Sequence, residues 1–383
     1  MNKGLLIGLG FLLLTFSNKA RPENRSITLK YKGQVSAYSH FNPSNDQSLW
    51  FGGRYLPQLN SEIKLKKSNL IDFEASANIY GNAAIEPFNN VGYDGNIKPY
   101  RLWARYSSPQ LEIRAGLQKI NFGSASMLRP LMWFDQIDPR DPLKLTDGVW
   151  GILGRYYFLN NANIWLWSLY GNNNTKGWEM SKTSKGKPEF GGRIQYPVPL
   201  GETAFSYHHR TASVQNPMVS ITNLLDIPEN RFGFDLRLDW ALGTWVEASW
   251  INKDAELLSF TNQEVFNLGF DYTFGIGSGL YVAYEQLLLA YDQQAFSFNN
   301  PISFSLLSMS YPIGLFDNIS AIVYYDWSSN NAYNFVNYQR QFENISLYVM
   351  GYWNPENYKI PTQGGSTNLF GGKGIQLMLV WNH

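Results

Sequence analysis

Residues 231–240 read RFGFDLRLDW, and the two sets into which they sort decide the fold. Phe232, Phe234, Leu236, Leu238 and Trp240 fall on one side of an extended chain, and Arg231, Asp235, Arg237 and Asp239 fall on the other. Successive side chains of a strand point to opposite faces, so the segment is a strand with one greasy and one charged face. The same period of two runs through 26–41, 71–80, 111–118, 190–198, 266–274 and 319–327. In 26–41, for example, Ile27, Leu29, Tyr31, Val35, Ala37 and Phe41 oppose Lys30, Lys32, Gln34, Ser36 and His40. No stretch of comparable length carries a helical period.

These segments run to about 9–12 residues, where strands of soluble proteins average about 5–6. A tilted strand that crosses a bilayer needs about 9–11 residues, apolar toward lipid and polar toward the interior. Backbone groups in hydrocarbon must all be paired, so such a sheet has to close. The expected fold is therefore all-β, a transmembrane antiparallel up-and-down β-barrel. Composition agrees. Of 383 residues, 16% are aromatic and only 16% charged, with 13 Trp, 24 Tyr and 24 Phe, as a lipid-facing belt requires. That aromatic load excludes a disordered chain. The absence of cysteine excludes a disulfide scaffold and a thiolate-bound metal.

Short connections alternate with long polar ones. Tight turns are expected at 67–69, 107–109, 159–161, 199–201, 241–243, 275–279, 312–318 and 343–344. Longer loops fall at 42–48, 82–95, 121–148, 172–187, 211–229, 253–263, 292–301, 328–332 and 354–372. Long loops on one side and short turns on the other predict eighteen strands with both termini on the short-turn side. Residues 333–342 alternate poorly, and without them the even-numbered fallback is sixteen. Tyr106, Tyr156, Phe158, Trp165, Trp167, Trp240, Trp327, Trp353 and Trp381 lie near predicted strand ends, where a girdle at the membrane–water interface would place them.

The first twenty residues read as an address. Lys3 precedes the apolar run 4–16 (GLLIGLGFLLLTF), too short to span a bilayer as a helix and suited to the core of a secretory signal peptide. Cleavage is expected after Ser17 or after Ala20, which leaves 21–383 as the mature barrel.

The layout resembles a Gram-negative outer-membrane barrel. The last strand, 373–383 (KGIQLMLVWNH), is similar to the C-terminal strand read by barrel-assembly machinery, except that it ends Trp-Asn-His. Residues 113–158 resemble the strand–loop–strand of porin-like families, including alginate-exporter-type barrels. They carry Gly116-x-Gln118, then Phe122-Gly123, then Asp138-Pro139-Arg140-Asp141-Pro142. The resemblance implies a channel or export conduit, with membrane lipids and lipopolysaccharide around it and small hydrophilic solutes within.

The third long loop, 121–148, is the longest. Met127, Leu128, Leu131, Met132, Trp133, Phe134, Ile137 and Leu143 make it too apolar for a solvated tail, and irregular backbone cannot face lipid. It is expected to fold inward and narrow the pore. Arg129, Asp135, Asp138, Arg140, Asp141 and Lys144 would then set a transverse field, since charge and radius govern selectivity. The alternative is a lid over the barrel mouth. Arg101, Arg105, Arg114, Arg155 and Arg193 crowd the predicted lumen face nearby. They form either a cationic wall that favours anions or a set of pairs with Asp72, Glu74, Glu112 and Asp235. Trp103 faces the lumen by parity.

Competing chemistries are thin. With 31 basic and 30 acidic residues the chain has no electrostatic footprint for nucleic acid. The only histidines are His40, His208, His209 and His383; His208 and His209 straddle two faces, and no hydrolase motif surrounds His40. Neither an enzyme, a cofactor nor a metal is expected, although oxygen-rich loops at Asn42–Asp46 and Asn89–Asp94 could hold Ca²⁺. The expected function is passive diffusion of small hydrophilic solutes, with a bias toward anions. The alternatives are a polysaccharide export conduit and a plugged barrel that scaffolds an envelope complex. The sequence leaves the oligomeric state open.

Overall fold

A computed structural model describes residues 27–44, 48–65, 68–85, 91–215, 224–257, 260–356 and 369–383. The leader, and with it the cleavage site, lies outside these residues, as do Asn45, Asp46, Asn89 and Asn90 of the two oxygen-rich loops.

In chain order the strands are β1 (Ile27–Phe41), β2 (Leu49–Lys64), β3 (Leu70–Ile85), β4 (Val91–Ser107), β5 (Leu111–Gln118), β6 (Val149–Tyr157), β7 (Asn163–Leu169), β8 (Lys182–Thr183), β9 (Glu189–Val198), β10 (Gly201–Gln215), β11 (Leu224–Asp239), β12 (Gly243–Lys253), β13 (Asn262–Phe274), β14 (Leu280–Asp292), β15 (Ile302–Pro312), β16 (Asp317–Asp326), β17 (Asn331–Gln341), β18 (Ile345–Trp353) and β19 (Lys373–Asn382). β8 has two residues and pairs only with β10, while β7 pairs directly with β9. The other eighteen run antiparallel to their neighbours, and β1 closes the ring on β19 from Gln34↔Asn382 to Phe41↔Ile375. Closure leaves no edge, which satisfies the backbone in lipid. The seam is finished by reciprocal bonds of 2.9 Å between Gly33 and His383.

The expected eighteen strands are thus present, and β17 occupies the stretch that alternated poorly. Its inward positions hold Tyr333 and Phe335, both buried, instead of polar groups. The contrast between faces vanished because the lumen there is packed, not wet. β3, β4, β10 and β11 also run to 15–17 residues, longer than expected. Hairpins that leave the bilayer keep exchanging backbone bonds, so the loops read at 82–95 and 211–229 shrink.

The outward positions behave as the alternation requires: Leu29, Phe73, Ile97, Ile152, Ile194, Phe205, Phe232 and Leu377 are all exposed on the outer wall. Two members of the expected girdle are elsewhere. Trp165 and Trp167 alternate with the exposed Leu166 and face the interior. Trp167 stacks on Phe122 at 5.7 Å, and Arg155 lies 3.8 Å from the Trp165 ring. Both sat near a strand end only because β7 is seven residues long. Tyr156, Phe158, Trp240, Trp327, Trp353 and Trp381 are exposed, as an interfacial belt needs.

Candidate translocation pathway

β5 ends where its backbone is forced inward. Gly116 has φ +121°, and a Cβ there would meet Leu102 O at 2.2 Å. Gln118 then caps the departing hairpin by donating to Arg114 O (3.2 Å) and Gly151 O (3.1 Å). From there residues 119–148 cross the barrel interior and are held by carboxylates of the opposite wall. Glu285 on β14 accepts the N–H groups of Ser126 (2.8 Å), Met127 (3.0 Å) and Leu128 (2.5 Å). Glu247 on β12 accepts those of Ala125 (2.8 Å) and Leu131 (2.6 Å). Successive N–H groups converging on one anion form a nest. Gly123, the glycine of the Phe-Gly pair, has φ +106° and lies so close to Glu247 that a Cβ would sit 2.4 Å from Oε2. Ser124 Oγ to Asp235 (3.0 Å) and Trp133 Nε1 to Ser249 (3.0 Å) complete the attachment.

Apolar packing follows these anchors. Ile120, Phe122, Leu131, Trp133 and Phe134 pack with Val149, Leu153, Trp167 and Leu169. Leu128 joins Leu287, Leu289, Leu306, Tyr333, Phe335 and Tyr352 across the far wall. A second loop supports the first: Trp178 Nε1 donates to Arg129 O at 2.7 Å, and Gln263 donates to Trp178 O at 3.1 Å. The interior is thus packed along β6 and β7 and along β13–β18.

The returning limb lines the other side. Asp138, Arg140, Asp141, Pro142 and Leu143 face Ser36, Tyr38, His40, Arg54, Tyr80, Asn82 and Gln376 across a space of about 210 Å³ of mixed polar and apolar lining, to which Met350, Leu369, Phe370 and Met378 also contribute. The Asp-Pro repeat shapes this limb. Asp138 Oδ1 accepts the Arg140 N–H (2.8 Å) and Asp141 Oδ1 that of Leu143 (3.0 Å), two consecutive side-chain turns stiffened by proline. Burial pushes the Asp141 carboxyl above the usual carboxylate range, against the pull of the Leu143 and Leu145 N–H groups. Arg54 is placed on the opposite wall, 5.8 Å from the Tyr80 ring, with no ion pair among the described residues.

The residues expected to line a pore separate into three groups. Asp138, Arg140, Asp141 and the exposed Lys144 border the open space or its rim. Arg105, Arg114 and Arg155 gather at the short-turn end, where Arg105 binds Asp72 (2.7 Å) and all three surround Glu112 at 3.1–3.6 Å. Arg101 bonds to the carbonyls of Tyr100 and Thr146. The third group does not face water. Arg129 and Asp135 pair with each other at 2.9 Å inside the loop, 6% and 1% exposed, and Arg193 is buried against Asp235 at 2.5 Å. Their charge is spent on bracing, because an unpaired ion could not be buried there. The wall is also less cationic than its arginines suggested: Arg105, Arg114 and Arg155 against Asp72 and Glu112 leave a single positive charge. Trp103 is capped by Arg114 (4.7 Å) and Arg105 (5.5 Å), so its face is already occupied.

Three features were not foreseen as parts of the site. Glu247 and Glu285, which anchor the loop, carry no motif that singles them out. The 172–181 loop brings Glu179 to within 3.2 Å of Arg210 and 2.6 Å of Arg231, a buried cluster shared with Glu229. His40 is held by Tyr352 (2.8 Å) and Leu369 O (3.0 Å), a structural arrangement. His208, buried between Glu189 and Trp167, and the outward His209 do not converge.

A closed ring of eighteen long antiparallel strands, greasy outside and crossed inside by one loop, defines a transmembrane-type β-barrel, the fold on which porins are built. No protein-family model matches the sequence, and no curated protein matches it. Solved structures do. Pseudomonas aeruginosa OccK5 (OpdH) superposes with a TM-score of 0.61 at 10% identity, over 92% of this chain and 97% of that one. Acinetobacter baumannii OccAB1 gives 0.56 at 8% identity, over 93% and 95%. OmpT, an outer membrane protein of Vibrio cholerae, gives 0.51 at 9% identity, over 94% and 100%. At such identities the likeness is one of fold.

Proposed function

We propose that the protein is an outer-membrane channel for passive diffusion of small hydrophilic solutes, with a modest preference for anions. The observation that carries this reading is the asymmetry of the interior. The third loop is bonded to β12 and β14 and packed on one side, while the side lined by β1–β3 and β19 keeps an unfilled space between Arg54 and the Asp138–Leu143 limb. A plug meant to seal the barrel would have packed that side as well. Solutes entering from the long-loop side would pass this opening and leave along the Arg105–Arg114–Arg155 group. Lipid and lipopolysaccharide would surround the apolar wall, and the barrel-assembly machinery would insert the chain.

Single-channel recording of the purified protein in planar bilayers under a salt gradient tests the proposal. Steady open steps with a reversal potential on the anion side are expected, and a silent bilayer would favour the scaffold reading. Arg105→Glu with Arg114→Glu changes the local charge from one positive to three negative, and the reversal potential is expected to cross to the cation side. An unmoved reversal potential places solute elsewhere. Acidification supplies a second check. Because Asp141 titrates above the ordinary carboxylate range, lowering the pH from neutral removes its charge before that of exposed acids and leaves less negative charge facing Arg54. Anion preference is expected to rise on mild acidification in the wild type and to stay flat in Asp141→Asn.

A further inference from the structure

The outer wall is apolar along most of its height, with an exception at the rim on the long-loop side. On β13 and β14, Val265, Asn267, Leu287 and Leu289 face inward toward the third loop, so Glu264 and Asp292, of the opposite parity, face outward. Glu264 lies opposite Trp250 in the ladder, and Trp250 stacks on the exposed Phe232. Both acids are nevertheless withdrawn from water, at 3% and 4% exposure. The 293–301 loop folds back over them: Phe296 N–H donates to Glu264 Oε1 (3.0 Å), Asn299 Nδ2 donates to Asp292 Oδ1 (3.2 Å), and the Phe296 ring lies 5.1 Å from Trp250.

Each carboxylate uses one oxygen in these bonds. The other two, Glu264 Oε2 and Asp292 Oδ2, are buried without a hydrogen-bond partner. Asn262 pairs with Asp292 across the ladder and Glu264 stands two residues further along the same face, so the acids are diagonal neighbours within reach of one another. No lysine or arginine among the described residues forms an ion pair with either. Two buried carboxylates with orphan oxygens and no counter-charge are unfavourable as they stand, and a cation between them removes the cost.

We propose that Glu264 and Asp292 bind a divalent cation, Ca²⁺ in the first instance, under the 293–301 flap on the outer rim. The donors are all oxygen, which selects a hard ion over a transition metal, and Ca²⁺ accepts an irregular set completed by loop carbonyls and water. The ion would fasten the flap to the wall. Phe296 and Phe298, both exposed on the flap, would then be held at the level where aromatic side chains meet the headgroups.

Terbium(III), a luminescent stand-in for Ca²⁺, tests the site on the purified full-length barrel in chelator-free detergent. Trp250 donates to Asn262 at 3.1 Å and is placed to sensitise an ion bound there. Saturable emission on tryptophan excitation, reversed by Ca²⁺ and abolished in both Glu264→Gln and Asp292→Asn, is expected. Trp250→Phe should lose the emission yet keep a Ca²⁺-dependent rise in unfolding temperature, which the two acid variants should lack. Heat-modifiable gel mobility confirms that each variant still forms the barrel. If one does not, Glu264→Asp, with its shorter reach, must bind terbium more weakly than wild type. Absence of saturable emission in the wild type, or unchanged emission in the acid variants, overturns the proposal. So does a Glu264→Gln protein that gains stability with no Ca²⁺ effect in the wild type, since the acids would then share a proton instead.

Discussion

Deletion of residues 127–144 is expected to raise single-channel conductance severalfold. The segment contributes Leu128, Leu131, Trp133 and Phe134 to the packed interior and Asp138, Arg140 and Asp141 to the wall of the opening. Removing it empties much of the cross-section between β12–β16 and β1–β3. The barrel itself should survive, because its ring depends on interstrand backbone bonds, and β5 and β6 remain paired through Gln118↔Val149. The remaining residues 119–126 and 145–148 are ample to join two adjacent strand ends. Lost packing lowers stability, but the backbone bonds in lipid have no alternative partner and hold the sheet closed. Conductance in planar bilayers is the measurement, with heat-modifiable mobility as the check on folding. An unchanged step size would show that the loop does not control the pore.

Much of this architecture was written in the sequence because a membrane barrel obeys a rule that acts on every residue of every strand. Lipid demands an apolar outward side, so Phe232, Phe234 and Leu236 announce both the strand and its orientation. The rule fails where the inside is not water. β17 was the weak point because Tyr333 and Phe335 face a packed lumen. Trp165 and Trp167 were assigned to the interface because a short strand brings interior positions close to its ends. The third loop was conspicuous for its apolar content, but its charges could not be sorted from sequence. Arg129 and Arg140 look alike in a string. Only the folded loop turns the first toward Asp135 inside the packing and places the second, paired with Asp138, beside the unfilled space, 5.0 Å from Phe370. The anchoring acids were invisible for a related reason. A carboxylate that binds backbone N–H groups of a distant loop needs no complementary side chain, so Glu247 and Glu285 have no partner residue that a reader could match.

Those anchors carry the other large effect. Glu285→Ala is expected to destabilise the protein and to make its conductance unsteady, with Glu285→Gln falling between Ala and wild type. The alanine leaves the N–H groups of Ser126, Met127 and Leu128 without their acceptor. A buried donor that loses its partner costs about 1–3 kcal/mol. Ser126 is exposed and can turn to water, whereas Leu128 is buried and cannot. A total loss of about 2–4 kcal/mol follows, since the loop tip can shift to recover part of it. Glutamine keeps one acceptor oxygen but brings an amide N–H₂ toward donors already crowded there, so roughly half the loss is expected. Asn267 donates to the same carboxylate at 3.4 Å and would be stranded with them. Urea unfolding in detergent, followed by tryptophan fluorescence, measures the ranking. The electrical consequence separates anchoring from plain stability. A released tip lets the loop leave the β14 wall and swing into the remaining opening, so Glu285→Ala should flicker between levels at a temperature where it is still fully folded. A quiet record at wild-type conductance from a destabilised Glu285→Ala protein would mean that Glu247 and the apolar contacts hold the loop without help, and that the nest at Ser126–Leu128 serves folding alone.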